Sequence, residues 1–249
     1  MIEILNIFFL IFSFSILLSN TSTINFIKDK INLNDLSLSN IFSINILIVM
    51  IILLITSFFE IKIIYVATLL FISSLIGLIF NKKKNLFVKK KYFISYFFFI
   101  ILCFIICVDL IANPKLEWDG HGWYFHAFNF KENFNFFNLV NADRYNQPHL
   151  GGILWGIVWS ISFLDYEFYG RIFYIILYLC AILSVSENVS KLLLNRIIIS
   201  IVLILLTYDK FLFSGYQEVL VFSIIAIVCN LIYNLNLKKL NTFQIFFIT

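Results

Sequence analysis

Charge is what this chain has least of. Asp, Glu, Lys and Arg make up only 13% of its 249 residues, about half the share found in a water-soluble domain. With 61% apolar residues, there is more Phe and Ile than a soluble protein of this length could bury. That excludes an ordinary soluble domain and leaves lipid as the fitting solvent. Cysteine is also sparse. Cys103, Cys107, Cys180 and Cys229 all fall in apolar runs without CxxC spacing, so they read as small buried hydrophobes and exclude a paired metal or redox motif. The first apolar run follows Glu3 instead of a basic segment and lacks a small-residue cleavage site. It is therefore read as a retained helix, not a signal peptide. The formal charge of +4 is explained by six lysines within 82–91. No folded basic domain accompanies them, which excludes a nucleic-acid partner. The many Asn residues are attributed to biased codon supply, and no meaning is read into each one.

What is present is a series of apolar runs. A spanning helix needs about 20 mostly apolar residues, and residues 3–19, 41–59, 63–80, 92–112 and 218–235 meet that need. The stretches 150–164, 167–187 and 193–207 are weaker candidates. A last run begins near Leu240 and stops at Thr249 after half a span. The expectation is a fragment of a longer polypeptide, because a helix ending in mid-bilayer leaves carbonyls unsatisfied. The expected fold is an all-α, polytopic transmembrane helix bundle in a cell (inner) membrane.

The positive-inside rule orients it. Lys82–Lys91 and Lys238-Lys239 go to the cytoplasm, as does the 20–40 loop, and residues 113–150 and 208–217 to the extracytoplasmic side. Lys191 and Arg196 should be cytoplasmic, yet two apolar stretches precede them where an odd number of crossings is needed. Either 150–164 is re-entrant, or Lys191 and Arg196 break the rule. The shortness of 150–164 and its opening Gly151-Gly152 favour the first.

Composition changes abruptly at 113–171. This stretch holds both prolines, all three histidines, all four tryptophans and six of the eight glycines. Such residues serve fixed turns and chemistry, so the site is expected here. Asp119, just after a helix leaves the membrane, belongs at the water–lipid boundary. Gly120 and Gly122 allow a tight turn around it, and Trp118 and Trp123 suit the headgroup level. Trp123, Ala127, Phe130, Phe134 and Phe137 then recur at helical spacing. They predict a juxtamembrane amphipathic helix with this stripe toward the acyl chains and His126, Asn129, Glu132 and Asn133 on the other side. Pro148 marks a helix start, and Gly152 with Gly156 forms a GxxxG pair that lets another helix approach. Glu167 and Arg171 can pair at i and i+4 or bind a ligand. Glu218 opens the helix after the loop 208–217, where a carboxylate suits the helix dipole.

In this order the pieces resemble the GT-C class of membrane glycosyltransferases, which use a sugar carried on a polyprenyl phosphate. The acidic opening of the first outer loop matches Glu117-Trp118-Asp119, and the juxtamembrane helix matches 121–137. The Pro-containing entry matches Gln147-Pro148-His149, and the second outer loop matches Gly215-Tyr216-Gln217-Glu218. The resemblance covers about 92–235, which divides the chain into N-terminal helices with a basic loop (1–91) and a GT-C-like region (92–249). Two features depart from the class. Asp119-Gly120 stands where an acidic pair is common, and three helices precede the usual start.

The resemblance implies Asp119 as the general base toward an acceptor hydroxyl, its pKa raised at a partly desolvated boundary. Arg144, His149 or Arg171 would stabilise the leaving lipid phosphate. Glu117, His121, His126, Gln217 and Glu218 complete the expected substrate-binding set. The partners would be the bilayer, a polyprenyl-phosphate sugar, and a glycan, lipid or protein acceptor. A divalent cation on Asp119, His121 and Glu218 is an open option, with Asp-Gly-His a weak metal signal. A transporter or flippase of lipid-linked glycans is the alternative. It would place ionisable groups in mid-membrane and show repeats, neither of which the sequence displays.

Overall fold

The computed structural model describes residues 2–20, 37–56, 58–59, 61–80, 90–112, 114–133, 150–209 and 212–234. Among them the chain is wholly helical. Its helices are α1 (Ile2–Leu18), α2 (Leu38–Thr56), α3 (Ile63–Phe80), α4 (Lys90–Ala112), α5 (Trp118–Asn133), α6 (Leu150–Ile161), α7 (Ile172–Val189), α8 (Leu193–Thr207) and α9 (Glu218–Asn234), with a 3-10 turn at Glu167–Tyr169 leading into α7. Every apolar run read as a span becomes a helix, with α2 three residues ahead of its expected bounds. Three segments are long and apolar enough to cross a membrane: Leu38–Thr56, Phe93–Ala112 and Glu167–Val189. At a rise of about 1.5 Å per residue they approach the ~30 Å hydrocarbon thickness.

α7 is the axis of the bundle. Every residue from Tyr169 to Ser184 is buried, as expected of a helix that is apolar all round. α9, α8, α2, α4, α6 and α1 all pack against it. Edge-to-face aromatic pairs knit this core, Phe14 with Phe173 and Phe42 with Phe99. The outer surface keeps large apolar groups exposed, among them Leu69, Phe97, Ile105 and Leu205.

The two ends of the bundle differ. At one end Ser39 N donates to Glu187 Oε2, and Arg196 pairs with Glu187 at 3.4 Å. Beside them Asn188 donates to Asn230, and Asn230 to Asn40, at 2.7 and 2.8 Å. At the other end Asn6 bonds Ser162 and the backbone N–H of Phe163. Away from that end, where α1 finishes, Asn45 donates to the carbonyls of Leu18 and Asn20. These bonds correct the dismissal of the asparagines as codon bias: inside apolar packing an amide with a partner on the next helix fixes register. Cys103, Cys107 and Cys180 are buried as expected, but Cys229 is exposed.

α6 does not run the length of the bundle. Its first turn meets Tyr174 through the Gly151 carbonyl, and its last residues lead to Ser162 on Asn6. Both ends of this 12-residue helix therefore lie at the Asn6 end, and α7 alone carries the chain from there to the Glu187 end.

Candidate functional site

The polar stretches flanking α5 and α9, far apart in sequence, meet at the Asn6 end. The backbone N–H of Glu117 donates to the Ser214 carbonyl at 3.1 Å. Gly120 and Gly215 pack backbone against backbone: a Cβ on Gly215 would sit 2.7 Å from the Gly120 Cα, and one on Gly120 would collide with the Ser214 carbonyl oxygen. Gly215 also has φ of +103°, a conformation that costs little only without a Cβ. Gly120 itself is helical, so the tight turn expected around Asp119 is replaced by the first turn of α5. The missing side chain at 120 serves close approach instead.

Beneath this contact lies Arg171, fully buried. Its Nη1 donates to the carbonyls of Phe213 (2.7 Å) and Lys115 (3.3 Å), and its Nη2 to the carbonyl of Pro114 (2.6 Å) and to Glu167 Oε1 (2.8 Å). The i,i+4 pair with Glu167 is thus present. These Nη bonds all go to the chain itself, and none of them tests the ligand-donor role expected of Arg171. Trp155 backs the pair: its Nε1 donates to the Glu167 carbonyl, and its ring fits against Gly170, where a Cβ would collide with it.

α5 and α6 run side by side in the same direction. A Cβ on Gly152 would lie 2.8 Å from the His126 Cβ, and one on Gly156 3.0 Å from the Ala127 carbonyl. The GxxxG pair does admit a helix, and that helix is α5. This corrects the facing of the aromatic stripe. Ala127 and Phe130 are fully buried against α6, and His126, assigned to the polar side, is buried with them. The exposed stripe of α5 is His121, Phe125, Phe128 and Glu132. A latch closes the far end: Lys131 Nζ and Trp159 Nε1 both donate to Asp165 Oδ1, at 2.6 and 2.8 Å. The Lys131 bond holds the Asp165 carboxyl below the ordinary carboxylate range, against a smaller opposing effect of burial and with help from Trp159.

The other expected site residues fall as follows. Asp119 lies in the first turn of α5, one residue before the Gly120–Gly215 contact, with its side chain outside the described residues. Arg144 and His149 lie outside them as well. Glu117 is half-buried, and one turn on, the exposed His121 donates its backbone N–H to the Glu117 carbonyl. Gln217 is half-buried, its Nε2 donating to the Tyr174 hydroxyl at 2.9 Å, which in turn donates to the Gly151 carbonyl. Glu218 is the exposed first residue of α9. The end therefore presents two carboxylates, an imidazole and a fixed carboxamide around interlocked loops. Among the described residues no three His, Cys, Asp or Glu side chains group to hold a metal ion; of the set Asp119, His121 and Glu218, the Asp119 side chain lies outside them.

Sequence reasoning missed Tyr174, Trp155 and the Asp109–Tyr208 hydrogen bond, which joins α4 to the start of the second loop. An acid inside the apolar run 92–112 was the available signal for Asp109, since a carboxylate there needs a partner. No family model matches the sequence, no curated protein matches it, and no solved structure matches the fold.

Proposed function

We propose that the chain is a polytopic membrane glycosyltransferase that moves a sugar from a polyprenyl-phosphate donor to an envelope glycan, lipid or protein acceptor at the Asn6 end of its bundle. The observation that carries this reading is the meeting of Glu117 and Gly120 with Ser214 and Gly215. In the class that the sequence resembles, the acidic first loop and the second loop supply one site, and here their backbones are in contact. The apolar outer surface supports the membrane setting, since exposed Leu, Ile and Phe are favourable in lipid and costly in water. Ser15 on the last part of α1 bonds Tyr96 near the start of α4, so α4, whose first two residues are Lys90 and Lys91, begins at the Glu187 end. Positive-inside orientation then makes the Asn6 end extracytoplasmic.

In the proposed reaction the acceptor oxygen attacks the anomeric carbon while the bond from that carbon to the phosphate oxygen breaks. The hydroxyl proton passes to the Asp119 carboxylate, and the bonding pair leaves with the lipid phosphate. Gln217, pinned by Tyr174, and Glu218 and His121, open to solvent, are placed to bind sugar or acceptor hydroxyls. Arg144 and His149 are the cations proposed for the phosphate.

Membranes containing the protein, supplied with radiolabelled polyprenyl-phosphate sugars, should transfer label, and Asp119→Asn should abolish transfer at equal expression. Full activity in Asp119→Asn refutes the base; no transfer by the parent from any such donor refutes the function.

A further inference from the structure

The carbonyls of Pro114, Lys115 and Phe213 all accept from one guanidinium, in bonds part-buried at the first two and buried at Phe213, and a carbonyl that loses its donor away from water costs stability. Arg171 answers all three at 2.6–3.3 Å from inside the bundle. Pro114 and Lys115 stand just before Glu117, and Phe213 just before Ser214, the residue whose carbonyl accepts the Glu117 N–H. Arginine suits three diverging acceptors because its planar fork holds its donors in fixed directions, whereas a lysine ammonium is a compact point charge on a flexible stem. The fork is itself fixed, by Glu167 at 2.8 Å and by the Trp155 ring, whose centroid is 5.9 Å from its central carbon. Its buried Nε has no hydrogen-bond partner among the described residues, so the hydrogen bonds that orient it are all on the Nη side.

We infer that Arg171 is the positioning residue of this site. It sets the register of residues 114–117 against 213–215, and through the Gly120–Gly215 contact it sets where Asp119 stands relative to Gln217 and Glu218. It acts through the loops and touches neither donor nor acceptor. The consequence for catalysis rests on the glycosyltransferase reading; the holding of the loops does not.

Hydrogen–deuterium exchange on the full chain in detergent separates the two. In Arg171→Lys, which keeps the charge and loses the fork, peptides covering 114–117 and 213–217 should exchange about tenfold faster or more, the loss of one or two charge-assisted hydrogen bonds. Peptides of α8 and of the later turns of α9 should exchange as in the parent. Sugar transfer should lose kcat with the donor KM unchanged. Unchanged exchange in the two loops overturns the inference, as does a rise spread over the whole chain. A raised donor KM with unaltered loop exchange would return Arg171 to phosphate binding and overturn it as well. If Arg171→Lys does not fold, Glu167→Gln carries the test, with a smaller rise in the same two peptides expected and no rise contradicting it. A parent without transfer activity defeats the functional reading and leaves the exchange result to decide the positioning role.

Discussion

Replacing Gly215 with alanine tests whether the loop contact is a built feature. Two costs add at this position. A residue with a Cβ held at φ of +103° occupies a sparsely populated backbone region, at about 1–3 kcal/mol. The new Cβ would also stand 2.7 Å from the Gly120 Cα and 3.3 Å from the far edge of Trp155. The first neighbour is backbone in a helix and cannot swing away, and such overpacking costs about 1–3 kcal/mol. Together the loss is about 2–6 kcal/mol, and at about 2–4 °C per kcal/mol for a chain of this size the melting temperature should fall by at least about 4 °C. Gly156→Ala is the matched comparison. Its Cβ would meet the Ala127 carbonyl at 3.0 Å and the Phe130 Cβ at 3.3 Å, but its helical backbone suits alanine, which gains about 1 kcal/mol of helix propensity. Its net effect should be much smaller. The assay is thermal unfolding of the purified protein in detergent, followed by fluorescence size-exclusion. Gly215→Ala melting within about 1 °C of the parent, or Gly156→Ala falling as far, would refute the packing argument.

The latch and the asparagine cluster give further expectations. The folded Asp165 carboxyl titrates below its unfolded value because of Lys131. Its contribution is thus complete above the ordinary carboxylate pKa of about 4 and is lost as pH falls through the lower folded value. The melting difference between the parent and Lys131→Met should therefore shrink on going from neutral pH to below that range. A constant difference would show that Asp165 is not the partner. The effect should be small, because the Asp165 side chain is 73% exposed. Asn230→Ala should destabilise by about 1–3 kcal/mol, since it leaves amide groups of Asn40 and Asn188 without their buried partner; an unchanged melting temperature would return these residues to compositional noise.

The helices were legible because length and apolarity decide them: the runs read as spans are helical to within a few residues, and the last run, 240–249, lies outside the described residues. What an apolar stripe cannot state is whether it faces lipid or another helix. Ala127 and Phe130 satisfied the pattern for lipid, yet Gly152 and Gly156 offered a closer surface, so α5 turned that face inward and took His126 with it. The Glu167–Arg171 pair was legible from its spacing. The three carbonyls on the same guanidinium were not, because a backbone oxygen leaves no mark in the sequence. Asp109 left a visible mark and was passed over. The re-entrant reading of 150–164 rested on counting crossings, and such a count carries no sign of the packing that brings Gly151 to Tyr174 and Ser162 to Asn6.

The most direct test of the account is which side of a membrane each end occupies. With Cys229, the exposed thiol, replaced by serine, single cysteines at Glu132, Asp209 and Lys191, all exposed positions, can be treated in intact cells with a membrane-impermeant maleimide. The account predicts that Glu132→Cys and Asp209→Cys label from outside and Lys191→Cys only after permeabilisation. Labelling of Lys191→Cys from outside with the other two protected would invert the orientation, and equal labelling of all three in intact cells would contradict a membrane-spanning bundle.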